Sequence, residues 1–191
     1  MEFELDLERV ARMVPNTIMC KGVFINQTLR LSQDQFDDEE ILRMAGVPLQ
    51  RFVPFRDYPW IDFFRIAAVV GQVISDGASL SHSLRMMGRT YFSQFSEGVP
   101  GTLLFGALAC SPDLIIPLGP KAWRMANNFG SLRAESMGDR HYRYHLYGQP
   151  TEVVESIHVG VLEGVFEHCS LDVSLQLAAV DEMTSIIDFR W

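Results

Sequence analysis

The period of the apolar residues changes near residue 130, and no other feature of the chain constrains its fold so strongly. Before that point apolar side chains recur at three- and four-residue spacings, the period of helices packed on one side. After it, residues 132–137 and 141–147 alternate and read as two strands around a tight turn at Gly138-Asp139. Alternation puts Tyr142, Tyr144 and Leu146 on one face of the second strand, with His141, Arg143 and His145 on the other. Residues 152–168 form the most regular helix in the chain. Val153, Ile157, Val161 and Val165 make one row and Val154, His158, Leu162 and Phe166 the next, while Glu152, Glu155, Glu163 and Glu167 are expected to face water. Two last strands, 171–180 and 185–190, close around Asp181-Glu182. Helices followed by β-β-α-β-β predict an α+β fold with an antiparallel sheet.

Length suits one domain: 191 residues, read as an arm or exposed helix over 1–16, a helical part over 17–129 and a sheet-containing part over 130–191. Within the helical part the spacing predicts helices over 18–31, 39–45, 60–75, 78–95, 102–109 and 121–128. Gly46 stops the second and Pro59 sits in the first turn of the third. The apolar stretch 99–118 is membrane-length, but Pro100, Pro112, Pro117 and Asp113 make a spanning helix a poor reading. A formal net charge of -8 argues against a nucleic-acid partner. Three separated cysteines, Cys20, Cys110 and Cys169, form no disulfide framework, and with no basic-then-apolar leader the expected compartment is the cytoplasm.

Several runs carry a resemblance. Lys21-Gly-Val-Phe-Ile-Asn, Arg56-Asp-Tyr-Pro-Trp-Ile-Asp-Phe-Phe, Gly88-Arg-Thr-Tyr-Phe-Ser-Gln-Phe and the closing Asp188-Phe-Arg-Trp191 stand in an order and spacing that covers nearly the whole chain. Together they resemble a domain of unknown function found as many paralogues in myxobacteria. The layout is also similar to the ligand-binding superfamily of heme-nitric-oxide sensor, four-vinyl-reductase and Golgi transport-particle domains. That resemblance implies a heme, a small molecule or an acyl chain held between helices and sheet, or a dimer with no ligand. Heme-nitric-oxide domains use a histidine on a mid-chain helix and a Tyr-x-Ser-x-Arg run. Here the helix 121–128 carries Trp123 and no histidine, and the strand reads Tyr142-Arg-Tyr144-His-Leu146. On that ground heme is disfavoured and no cofactor is expected.

No GxSxG, HExxH, P-loop or GxGxxG occurs, so no enzymatic activity is expected. His158 lies in an apolar helical row and reads either as a polar handle inside a pocket, neutral because burial disfavours charge, or as a core histidine bonded to a backbone carbonyl. Gly160 and Gly164 permit close approach of another element. His141 and His145 lie about 13 Å apart along a strand, too far to share a metal. Residues 121–147 carry a local charge of +3, a place for an anionic head group or for internal pairing. The expected function is a non-enzymatic sensory or signalling module holding a small apolar or amphiphilic molecule, with His158, Tyr142, Tyr144, Trp123 and Arg143 as candidate ligand-binding residues. The alternative is a protein–protein interaction scaffold without a ligand, and a homodimer or partner protein is expected in either case.

Overall fold

The computed structural model describes residues 5–76, 78–97 and 111–191, without the side chains of 95–97. Helix α1, Leu7–Met13, starts at Asp6, whose carboxylate accepts from the amides of Glu8 and Arg9. It is docked and no exposed arm: Leu5, Val10 and Val14 are buried, and Arg9 reaches Glu152 at 3.2 Å and Glu182 at 2.9 Å.

The helix expected over 18–31 begins four residues late. Met19–Lys21 is instead a strand, β1, paired antiparallel with β2, Asp57–Pro59, and α2 runs over Gly22–Arg30. Extended pairing wins because bonds from Trp60 N–H to the Ile18 carbonyl (2.8 Å) and Gly22 N–H to Arg56 (3.0 Å) hold the segment straight. Only glycine fits at position 22, where a Cβ would overlap the Val53 carbonyl. Helix α3, Asp38–Met44, opens with a reciprocal cap between Asp37 and Glu40. Helices α4, Trp60–Ile74, and α5, Leu80–Glu97, are the two longest described helices, α4 strongly apolar and α5 amphipathic. The helix expected over 102–109 lies outside the described residues. A short α6, Pro112–Ile115, and α7, Gly119–Ala126, lead to the sheet.

That sheet holds β3, Ser131–Gly138, β4, His141–Tyr147, β5, Ser174–Asp181, and β6, Thr184–Arg190. Its order is β3-β4-β6-β5 and every neighbour is antiparallel, as the alternation predicts. Strand β5 starts at 174 and not 171, because the Leu171 amide still bonds the Phe166 carbonyl and Ser170 turns with φ 55°.

Between the hairpins the expected helix is present but broken in phase. It consists of α8, Thr151–Val153, a π turn, Val154–His158, and α9, Val159–His168. Of its four glutamates only Glu167 is exposed, and Glu155 keeps one carboxylate oxygen out of water. Glu152 is buried against Arg9, and Glu163 is clamped by Arg85 and Arg89 of α5. There the helices touch backbone to backbone: a Cβ at Gly160 or Gly164 would meet the carbonyls of Arg85 or Arg89, and one at Gly88 that of Ile157. No described helix is long and apolar enough to cross a membrane.

Two apolar clusters result. One joins α1 to α5, around Ile25, Phe64 and Ile66; the other joins α7 and α9 to the sheet, around Phe166, Ile187 and Phe189.

Candidate functional site

The two clusters do not close on each other completely. Between them lies a cavity of about 210 Å³, walled by Cys20, Trp60 and Phe63 from the helical side and by Trp123, Tyr144 and Leu162 from the sheet side. Its wall is almost wholly apolar, and among the described residues neither Arg nor Lys lines it.

Most polar groups in the wall already have partners. Tyr144 donates its hydroxyl to the Ile116 carbonyl at 2.6 Å, and burial pushes the phenol well above its ordinary value. Glycine at 119 makes this bond possible, since a Cβ there would sit on the tyrosine oxygen. Trp123 donates its indole N–H to the Phe129 carbonyl at 3.2 Å, and Tyr91 shares a 2.7 Å bond with Thr28. The thiol of Cys20 is pushed up to about 12, first by burial and then by Asp62 and Asp57, so it stays protonated.

Asn127 makes only a long side-chain bond, Nδ2 to the Trp123 carbonyl at 3.5 Å, and His158 is the most weakly held polar ring in the wall. It ends the π turn, which adds one residue to the helical circuit and re-aims the side chains that follow. Its ring lies 4.9 Å from the Trp123 ring and keeps some accessible surface, which opens on the cavity it lines. Burial lowers its pKa to about 4, so the imidazole is neutral. Among the described residues no backbone carbonyl takes its proton. Nε2 instead lies 3.4 Å from Oε1 of Gln149, a long contact to a buried amide whose own nitrogen is unpartnered.

The cavity thus brings together three of the five residues singled out by sequence: His158, Trp123 and Tyr144. The other two lie elsewhere. Tyr142 shares the inner face but sits toward the sheet's far end, stacked on Phe189 and Trp191. Arg143 is on the outer face, its Nε 2.7 Å from Asp188, which also holds His141 at 2.8 Å. Although burial pushes the Asp188 carboxyl up, bonds from Arg143 and His141 hold it below its ordinary value. His145 pairs there with Glu135, also at 2.8 Å. On this face the local positive charge is met by carboxylates of the chain itself. Cys20, Asn127 and Gln149 escaped the sequence reading as site residues: Cys20 stands on the three-residue strand β1, Asn127 bridges to it just past α7, and Gln149, which meets His158, sits in the Gly148-Gln149-Pro150 turn, all too short for periodicity to carry a signal.

Comparison with solved structures defines the class of fold. The Fe(II) unliganded H-NOX protein from K. algicida superposes with a TM-score of 0.64 and 14% identity, over 89% of this chain and 95% of that chain. An H-NOX protein from S. oneidensis in the Fe(II)NO state gives 0.63 and 15% identity, over 88% and 97%. A structure described under "Modulating Heme Redox Potential Through Protein-Induced Porphyrin Distortion" gives 0.63 and 17%, over 90% and 99%. The chain therefore has the H-NOX-like fold. It belongs to the family described as "Protein of unknown function (DUF2378)", whose model matches residues 19–191. No curated protein matches it.

These matches correct the expectation of no cofactor. The fold neighbours are proteins of heme and Fe(II), so the missing mid-chain histidine and Tyr-x-Ser-x-Arg run do not exclude heme. The cavity meets such a group only in part: at about 210 Å³ it is smaller than a porphyrin, and among the described residues no Arg or Lys stands in its wall to receive a propionate. His158 offers a neutral imidazole, the form that ligates iron, and aromatic side chains offer flat apolar faces. The protonated Cys20 thiol is a poor ligand by comparison.

Proposed function

We propose that this chain is a sensory domain that encloses a small apolar or amphiphilic molecule in the cavity between its helices and its sheet, and that it catalyses no reaction. One observation carries the reading: an apolar cavity of about 210 Å³ with a neutral, under-bonded histidine in its wall. Pockets at the junction of two cores are preferred ligand sites, because occupancy couples the two halves.

The test is native mass spectrometry and absorbance of the purified protein, followed by extraction of the denatured chain. The expected result is an added mass lost on denaturation, with a Soret band identifying heme and its absence a colourless ligand. A chain that carries no added mass and takes up no apolar probe sinks the reading. A second reading has its own support. Leu49, Val53 and Phe55 are 52%, 55% and 69% exposed on one irregular segment, an apolar surface suited to a partner protein or a second copy. Light scattering of wild type and Phe55→Ser separates it from the first, since only an assembly through this segment changes mass.

A further inference from the structure

The polar inventory of the cavity narrows what it can hold. Tyr144 and Trp123 donate to backbone carbonyls, and because the Thr28 hydroxyl donates to the Phe24 carbonyl, Tyr91 donates to Thr28, so none is free to meet a ligand without breaking a bond. His158 is different. Its Nε2 faces Oε1 of Gln149, and in the tautomer that this amide orientation favours Nε2 carries the proton, which leaves Nδ1 as an acceptor with no partner among the described residues. A neutral imidazole with one bare lone pair in an apolar wall is an incomplete arrangement, and a ligand N–H or O–H completes it.

Size sets the rest. A dry apolar cavity of roughly 150 Å³ is known to admit benzene, so about 210 Å³ admits one or two fused rings. Trp60, Phe63, Phe92 and Trp123 present aromatic surface on both sides. With no described cation in the wall, a carboxylate would be buried without a counter-charge, which is strongly unfavourable.

Resting on the cavity reading above, we propose that the site selects uncharged aromatic molecules of one or two rings that bear a single N–H or O–H donor, which Nδ1 of His158 accepts. The ligand class is that of phenols and indoles, and His158 is the residue that reads the donor.

The experiment compares indole with benzofuran, a near-isostere in which oxygen replaces the N–H, and with indole-3-carboxylate, by titration calorimetry on the full chain. Indole is expected to bind wild type about tenfold to a hundredfold more tightly than benzofuran, the range for satisfying a buried acceptor. Indole-3-carboxylate is expected not to bind. In His158→Phe, which keeps a ring of similar size, the preference for indole is expected to vanish while benzofuran still binds. Should that variant fail to fold, nitrogen NMR of wild type supplies the same answer. The unprotonated imidazole nitrogen of His158 should move upfield with indole and stay put with benzofuran. Equal binding of indole and benzofuran, or a preference that survives in His158→Phe, overturns the donor-reading role and leaves the cavity reading standing. Binding of none of the three overturns both.

Discussion

The two sides of α9 meet their neighbours in opposite ways. Toward α5 the contact is backbone on backbone: Gly160 and Gly164 lie against the carbonyls of Arg85 and Arg89, and the Glu163 carboxylate bridges the two arginines. Toward α7 and the sheet the same helix system presents Ile157, His158, Leu162 and Val165 to open space. One side has no room for a single carbon and the other has room for a small molecule. The difference teaches where the fold is rigid. The α5 seam fixes α9 in place, so the cavity has a firm wall to be built against, and His158, the last residue of the π turn, lines the unfilled side.

Adding carbon to the seam should be the most damaging change. Gly160→Ala combined with Gly164→Ala forces two methyls onto backbone oxygens that cannot rotate away. Even after the better helix propensity of alanine, the double variant should lose about 4 kcal/mol in urea unfolding. A loss below about 1 kcal/mol would mean that the helices slide apart freely and that the wall is soft.

The cavity side should reveal itself through pH. The folded pKa of His158 is lowered to about 4 from an ordinary 6.5, so the unfolded chain takes up its proton first. Its contribution is whole above about pH 6.5 and is lost as pH falls toward 4, by up to about 3 kcal/mol. His158→Phe should flatten that part of the stability profile. An unchanged profile would show that the imidazole is solvated and the cavity wet.

Much of this contrast was legible in the sequence, and the unreadable parts share a cause. The alternation of Tyr142, Tyr144 and Leu146 against His141, Arg143 and His145 separates the sheet faces, because strand geometry leaves no other choice. His158 stands out for similar reasons, a lone imidazole in an apolar row. Where one residue serves two neighbours the pattern fails. Glu163 looks like any solvent-facing glutamate until α5 brings Arg85 and Arg89 to it from far along the chain. Strand β1 is three residues of otherwise helix-compatible sequence, made extended by its pairing with β2. The cavity itself leaves no trace, since Trp123 or Leu162 is equally apolar whether it packs on a neighbour or faces a void.

The charged rim of the seam should matter less than its glycines. Burial raises the Glu163 carboxyl, yet its bonds from Arg85 and Arg89 outweigh this and hold it below its ordinary value. Its contribution is therefore present above the unfolded carboxylate range and lost as pH falls through the lowered folded value. Glu163→Gln should cost about 1–2 kcal/mol at neutral pH, less than for a fully buried pair because both arginines reach water. Stability equal to wild type at neutral pH would assign the seam's strength to backbone contact alone.

The smallest expected change is the sharpest test of the contrast. Val165→Ile adds one carbon one residue away from Gly164, but on the side that lines the cavity. The new methyl buries apolar surface in space that already exists, keeps the β-branched shape, and should leave stability unchanged or raise it by up to about 1 kcal/mol. It should also weaken binding of a two-ring probe more than that of a one-ring probe, because the methyl consumes volume and leaves His158 and its neighbours in place. If Val165→Ile instead destabilises as much as Gly164→Ala, the two sides of α9 are equally full, and the space beside His158 is not available to a ligand.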